Sequence, residues 1–162
     1  LAHLLPQQRE TVFQLLAKHQ KMWDGRLGRV NATTHRIDLV PGAKPVHSQP
    51  YRAGPRAREA ESAEVQRMLK AGVIALASSE WASPVVLVPR PDGTLRFCVE
   101  YRKLNAVTTR YTYPLPRMDE CIDLLGDAQI FTTLDCNSGY WQIPVAPRDI
   151  EKTTFTSHEE TL

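Results

Sequence analysis

The chain has 162 residues, of which 42% are hydrophobic and 23% charged, and its formal net charge is +2. These values are ordinary for one globular domain with its own core, and they exclude the strongly basic composition of a dedicated nucleic-acid binder. Any binding of nucleic acid must therefore come from local groups of basic residues rather than from the overall field.

The cysteines and the apolar runs narrow the class of protein further. Cys98, Cys121 and Cys136 are widely spaced without a CxxC pair, which excludes a disulfide framework or a zinc site and predicts buried, reduced thiols. The N-terminus lacks a signal-peptide pattern, and no apolar run approaches the length of a membrane span. We therefore expect an intracellular protein without membrane contact.

The first part of the chain predicts two helices joined by an irregular arm. Apolar spacing predicts an amphipathic helix over residues 6–19, and the Gly- and Pro-rich stretch 23–55 predicts loops with one strand at 35–40. Residues 55–72 predict a second helix, because Pro55 suits its first turn and Gly72 can close its end.

The second part of the chain predicts a hairpin, a helix and further strands. An apolar run at 84–88, the turn Asp92-Gly93 and a returning strand at 94–99 are typical of a β-hairpin. Residues 116–126 predict a helix in which Met118, Ile122 and Leu125 are spaced for burial. Strands are predicted at 129–134, 141–145 and 153–156.

The segment that begins at Asp135 is the first candidate site. A carboxylate at the end of a strand is a good metal ligand, because the sheet fixes its direction. Ser138 and Gly139 could turn backbone N–H groups toward one point, which makes a nest for phosphates beside Tyr140. The alternative is that Asp135 caps the next helical turn.

The predicted hairpin is the second candidate site. Arg90 and Arg96 flank its turn and can point to the same side, where two guanidinium groups could clamp a triphosphate. The alternative is a solvated hairpin with ordinary surface arginines, which the pattern alone favours.

Four motifs in a fixed order carry a family resemblance. They are residues 81–88, 92–105, 113–118 and 134–143, and residues 152–155 fit the strand that follows. Together they resemble the reverse transcriptases of Ty3/gypsy-type retrotransposons, over about residues 36–158. The resemblance implies an α+β fold with the fingers and part of the palm of a right-hand polymerase, truncated, with an N-terminal helix and an extended arm. It implies a segment connecting protease to polymerase at residues 1–45 and a reverse transcriptase domain at residues 46–162.

The resemblance also implies a role for each site residue. Asp135 matches the catalytic carboxylate that binds Mg²⁺, Arg96 matches the arginine on the incoming triphosphate, and Tyr140 matches the steric gate against a ribose 2′-hydroxyl. The implied nucleotide-binding residues are Arg90, Arg96, Ser138, Gly139 and Tyr140. The implied template-binding residues are Ser83, Pro84, Val86, Arg102 and Asn105. The family usually has Asp where Glu100 stands, a change that we expect to loosen a local contact.

The end of the sequence differs from the family. The Tyr-x-Asp-Asp hairpin, which carries two more catalytic aspartates in the family, is not in these residues. We therefore expect a fragment of an RNA-directed DNA polymerase, in which the complete enzyme performs nucleotidyl transfer with two Mg²⁺ ions while the isolated chain is inactive. A non-catalytic nucleic-acid-binding remnant and an inert remnant of a retroelement are the alternatives.

The resemblance finally implies partners and a location. The complete enzyme would bind an RNA/DNA template-primer and deoxynucleoside triphosphates. Other segments of the Pol polyprotein, namely protease, RNase H and integrase, are expected partners, and the expected location is the cytoplasm or a virus-like particle.

Overall fold

The computed structural model describes residues 4–158 and 161–162. The chain divides into two compact units. The first contains the described residues up to Thr33 together with Asp135–Pro144, and the second contains Thr34–Leu134 with Val145–Leu162.

The first unit begins with helix α1, Pro6–Lys18, which confirms the predicted N-terminal helix. Proline fits its first turn because that position needs no N–H donor, and the Gln8 side chain accepts the backbone N–H of Leu5 at 3.0 Å. A short 3₁₀ helix follows at Gln20–Met22, and a second one lies at Gly139–Gln142.

The second unit is built around a three-stranded sheet of order β2–β1–β3. Strand β1, Ser83–Pro89, pairs antiparallel with β2, Leu95–Val99, and parallel with β3, Phe155–Thr156. The predicted hairpin is confirmed. Its turn closes because the Asp92 carboxylate accepts both the N–H and the hydroxyl of Thr94.

Two helices pack in the second unit. Helix α2, Pro55–Lys70, confirms the predicted second helix and buries Val65 and Met68. Helix α3, Arg102–Val107, buries Leu104, which joins Ile37 and Trp81 in a core cluster. These contacts hold the start of α3, and with it Arg102, against the irregular arm.

A buried carboxylate ties the arm to the C-terminal part of the second unit. Asp149, only 1% exposed, accepts the Ile37 N–H at 3.0 Å and the Lys152 ammonium at 2.5 Å. Lys152 also donates to the Ile37 carbonyl at 2.9 Å. Burial alone would raise the pKa of Asp149, but the hydrogen bonds from Lys152 and Ile37 outweigh it and hold that pKa below its ordinary value.

Four predicted strands need correction. Residues 35–40 form only isolated bridges, because His35 pairs with Val145 whereas Leu39 pairs with Thr108. Residues 129–134 form no strand, because no other described segment pairs with them. Residues 141–145 form the end of a 3₁₀ turn and a single bridge, and of 153–156 only β3 is a strand.

The predicted helix at 116–126 is shorter and is not buried. Helix α4 spans Met118–Asp123 and has no buried residue. Met118, Ile122 and Leu125 are exposed, because no segment of the described chain covers their face. The predicted burial of the thiols is also wrong for Cys121 and Cys136, which are exposed, whereas Cys98 is half-buried.

None of the helices within the described residues 4–158 combines the length and the apolar character that crossing a membrane requires.

Candidate functional site

The turn at residues 135–142 has the backbone geometry that an anion nest needs. Ser138 has φ 50° and ψ 50°, the left-handed conformation, and the right-handed 3₁₀ helix Gly139–Gln142 follows it directly. A left-handed residue followed by right-handed ones turns consecutive backbone N–H groups toward the same side. Phosphate binding by the backbone of Ser138 and Gly139, beside Tyr140, stays a prediction.

The turn is held by contacts within the first unit. The Gln142 side chain donates to the Asn137 carbonyl at 2.8 Å, and the Trp141 N–H donates to the Ser138 carbonyl at 2.9 Å. A Cβ atom at Gly139 would lie 3.1 Å from the Cβ of Cys136, so the turn favours glycine there. Tyr140 is 96% exposed, and its ring is therefore available to a ligand.

Asp135 does not cap this turn. The N-cap position belongs to Ser138, and no hydrogen bond found among the described residues involves the Asp135 carboxylate. The exposed carboxylate is a suitable oxygen ligand for Mg²⁺. However, the described residues contain no group of three or more His, Cys, Asp or Glu that could hold a metal ion. Asp135 can therefore be one ligand, but the described chain does not by itself complete a magnesium site.

The two hairpin arginines have different surroundings in the second unit. The β1–β2 register pairs Val88 with Arg96, which places these side chains on one face of the hairpin. Pro89 and Leu95, on the other face, line a shallow recess with the first turn of α2. Arg96 therefore lies on the face away from that recess, and its side chain forms no ion pair within the described part of the chain.

Arg90 lies near helix α2. The hydrogen bond from Arg67 lowers the pKa of Glu64, and the charge of Arg90 contributes to the same shift.

The residues matched to template binding divide into buried and exposed positions. Ser83 and Pro84 are buried at the start of β1, where the Ser83 N–H donates to the Thr154 carbonyl at 3.0 Å, and Val86 is half-buried. Arg102 and Asn105 are exposed and lie three residues apart on α3. They therefore share one solvent face of that helix.

The start of α3 is anchored on both sides of Arg102. The Tyr101 hydroxyl donates to the Thr153 carbonyl at 2.7 Å, and burial raises the pKa of Tyr101 to about 12. Leu104 is buried in the core. The backbone that carries Arg102 is therefore well fixed.

Glu100 contacts Arg102 in a way that the sequence reasoning did not anticipate. Its carboxylate accepts the Arg102 backbone N–H at 3.0 Å and forms an ion pair with the guanidinium at 2.6 Å. The expectation that Glu in place of Asp loosens a local contact stays a prediction. A carboxylate two residues before an arginine at a helix start is the sequence signal that could have found the Glu100–Arg102 contact.

Comparison with known proteins gives the class of protein. Residues 88–162 match the family described as reverse transcriptase (RNA-dependent DNA polymerase). The chain is 36% identical over 137 residues to the retrovirus-related Pol polyprotein from transposon 297 of Drosophila melanogaster, which covers 82% of this chain and 13% of that polyprotein. It is 35% identical over 133 residues to the Pol polyprotein from transposon gypsy of the same organism, which covers 78% of this chain and 12% of that one.

Solved structures show the same fold. The crystal structure of prototype foamy virus protease-reverse transcriptase (CSH mutant) matches 98% of this chain and 22% of its own, with TM-score 0.79 and 24% identity. The foamy viral protease-reverse transcriptase in complex with an RNA/DNA hybrid matches 98% of this chain and 22% of its own, with TM-score 0.76 and 20% identity. The predicted α+β fold class, fingers with part of a palm, is confirmed.

These matches together define the family. The chain belongs to the reverse transcriptases, as a segment of the kind found in the Pol polyproteins of gypsy-type retrotransposons. It spans 12–13% of the length of the curated transposon relatives named above.

Proposed function

We propose that the chain is part of an RNA-directed DNA polymerase, in which it supplies surfaces for the nucleotide and the template. The observation that carries the proposal is the turn at residues 135–142, which lies inside the matched family segment. There an exposed carboxylate, Asp135, precedes the left-handed Ser138 and the exposed Tyr140. Those are the features that binding a metal-associated triphosphate requires.

The nucleotide-binding residues have distinct roles in this proposal. In the second unit, the Arg96 and Arg90 guanidinium groups would donate to phosphate oxygens. In the first unit, the N–H groups of Ser138 and Gly139 would bind phosphate oxygens, and the Tyr140 ring would block a ribose 2′-hydroxyl.

Magnesium is the cofactor that we propose for the complete enzyme. Asp135 would be one of its ligands, and other carboxylates of the polyprotein would have to supply the rest, because the described residues offer no complete metal site. When bound, Mg²⁺ would supply charge stabilisation for nucleotidyl transfer.

The proposed macromolecular partner is an RNA/DNA template-primer. The foamy viral relatives were solved in complex with double-stranded DNA and with an RNA/DNA hybrid. Arg102 and Asn105 supply donors on the exposed face of α3, and phosphate and sugar contacts of this kind fix the position of a nucleic acid. Ser83, Pro84 and Val86 would act from β1, nearer to the template base.

We also propose the organisation that the resemblance implied. Residues 1–45 would connect protease to polymerase and residues 46–162 would belong to the reverse transcriptase domain, within a polyprotein located in the cytoplasm or in a virus-like particle. The foamy viral structures, which are protease-reverse transcriptases, match 98% of this chain and support such a connection.

Primer extension on a homopolymer template tests the polymerase proposal. In a polyprotein that contains this chain, Asp135→Ala should lower incorporation about a thousandfold or more, because essential catalytic groups typically contribute that much. Asp127→Ala removes the same charge at an exposed position and should leave the rate unchanged. The isolated chain should show no incorporation above its own Asp135→Ala variant. Equal activity of the two polyprotein variants would refute the role of Asp135.

Binding of nucleic acid without catalysis is the second candidate function. It is favoured by the exposed basic residues of the second unit, which are Arg96, Arg102, Lys103 and Arg110. Filter binding across a salt series tests it, because phosphate contacts make affinity fall as salt rises. Binding that is absent or independent of salt would contradict this function.

A further inference from the structure

We propose that Glu100 is a positioning residue, which holds the Arg102 guanidinium in the orientation that contacts a phosphate of the nucleic-acid backbone. This inference rests on the proposed function, because it needs Arg102 to contact nucleic acid. It adds a residue that family resemblance did not place in the site, and it predicts an effect opposite in sign to that of simple charge.

The Glu100–Arg102 ion pair joins a partly buried carboxylate to an exposed guanidinium. The side chain of Glu100 is 20% exposed, whereas that of Arg102 is 82% exposed. Glu100 binds both the backbone N–H and the guanidinium of the same residue, at 3.0 and 2.6 Å. The Arg102 guanidinium is therefore bound by Glu100 on one side and faces solvent on the other.

The guanidinium keeps donors for a second partner. It carries five N–H donors in a rigid fork, so one carboxylate leaves several of them open. The hydrogen bond and charge of Glu100 raise the pKa of Arg102, and the nearby Tyr51 hydroxyl adds a smaller effect in the same direction. Arg102 is thus bound by Glu100 without being enclosed.

Stability alone gives little reason for this pair. Ion pairs with a solvent-exposed arginine contribute little to folding, because water screens the charges and a long side chain loses entropy. The backbone under Arg102 is already fixed by Tyr101 and Leu104. What Glu100 adds is the direction of the guanidinium, and preorganised donors bind a ligand more tightly than mobile ones.

The chain contains a matched control pair in its first unit. Asp24 accepts the Arg26 backbone N–H at 3.0 Å and forms an ion pair with the Arg26 guanidinium at 2.6 Å. The exposed fractions of the two side chains, 79% for Arg26 and 27% for Asp24, are also close to those of the Arg102–Glu100 pair. Neither Asp24 nor Arg26 is among the residues assigned to nucleic-acid binding.

The experiment measures the affinity of the 162-residue chain for a fluorescently labelled RNA/DNA hybrid by anisotropy, at several salt concentrations. Arg102→Ala should weaken binding about tenfold and reduce the salt slope by about 1. Glu100→Gln should weaken binding roughly threefold although it removes a negative charge, because the guanidinium loses its orientation. Glu100→Asp, which keeps the carboxylate, should bind as tightly as the wild-type chain. Asp24→Asn, which removes the same charge elsewhere, should leave binding unchanged or slightly tighter.

Variant combinations separate positioning from folding. In the Arg102→Ala background, Glu100→Gln should have no further weakening effect, because the group that it positions is gone. Arg102→Lys keeps the charge without the fork and should bind more weakly than wild type. Thermal unfolding of each variant shows which are folded. If Glu100→Gln is not folded, the affinities of Glu100→Asp and Arg102→Lys test the positioning role instead.

The outcomes distinguish the positioning role of Glu100 from the proposed nucleic-acid binding on which it rests. Tighter binding by Glu100→Gln, as for Asp24→Asn, or binding by Arg102→Lys as tight as wild type, would overturn the positioning role while nucleic-acid binding stands. No binding by the wild-type chain, or no effect of Arg102→Ala, would overturn the proposed nucleic-acid contact and the inference with it.

Discussion

The buried Asp149 shows how a single side chain holds distant parts of the chain together. Its carboxylate binds the Ile37 backbone and the Lys152 ammonium, and Ile37 is 112 residues away in sequence. Sequence analysis did not anticipate this contact, because no local pattern links two positions so far apart. By contrast, the Glu100–Arg102 contact lies within two residues and is visible in the sequence once a helix start is predicted there.

Replacing Asp149 with Asn should destabilise the chain by about 3 kcal/mol, because it leaves the Lys152 ammonium without its carboxylate. The pKa of Asp149 is lowered in the folded state, so its contribution is complete above the unfolded value of about 3.9 and disappears as pH falls through the lower folded value. Urea unfolding between pH 7 and pH 2 measures both effects.

Asp127→Asn, at an exposed position, is the control for this measurement and should change little. The difference in free energy of unfolding between wild type and Asp149→Asn should shrink at the acid end of the series. A difference that stayed constant with pH would show that ionised Asp149 does not stabilise the fold.

At the scale of elements, the hairpin and helix α2 could be predicted because their signals are local. Asp92-Gly93 specifies a turn, and Pro55 and Gly72 mark the ends of α2, where Gly72 has φ +68°. The helix and the strand expected between residues 116 and 134 were predicted less accurately, because the helix is shorter and exposed and the strand is absent from these described residues. Apolar spacing says that a face can be buried, but it does not say which segment of a protein buries it.

Gly93 supplies a test of the hairpin. Its φ of +81° is a conformation that side chains with a Cβ rarely adopt, although nothing within 4 Å would collide with that atom. Gly93→Ala should therefore lower the free energy of unfolding by about 1 kcal/mol through backbone strain alone. Gly93→Asn should be less destabilising, because Asn tolerates this conformation better. Chemical denaturation of the two variants measures this, and equal effects would contradict strain as the cause.

At the scale of the whole molecule, the second unit has well-buried and open regions. Core residues such as Ile37 and Trp81 are less than 10% exposed, while the stretch between residues 111 and 134 leaves Tyr113, Leu115 and Phe131 mostly in solvent. Exposed apolar area of this kind is typical of surfaces that contact other protein or aggregate.

Replacing Ile130 and Phe131 together with Lys should reduce self-association and the fluorescence of a bound apolar dye. It should change the free energy of unfolding by no more than about 0.5 kcal/mol, because both side chains are exposed in the fold. Light scattering and dye titration test the first effect, and urea unfolding tests the second. The same double substitution at buried Val65 and Met68 should prevent folding. A large loss of stability in the Ile130–Phe131 variant would show that these residues are packed after all.

The parallel pairing of β1 with β3 determines when the sheet can form during translation. Ser83 pairs with Phe155, and the intervening roughly seventy residues must leave the ribosome before the third strand can dock, which makes closure a late, non-local event. Until then the edge of β1 that β3 will cover is unpaired, and another nascent chain could add to it. Where several ribosomes read one message, their spacing would then influence how much of this segment folds correctly.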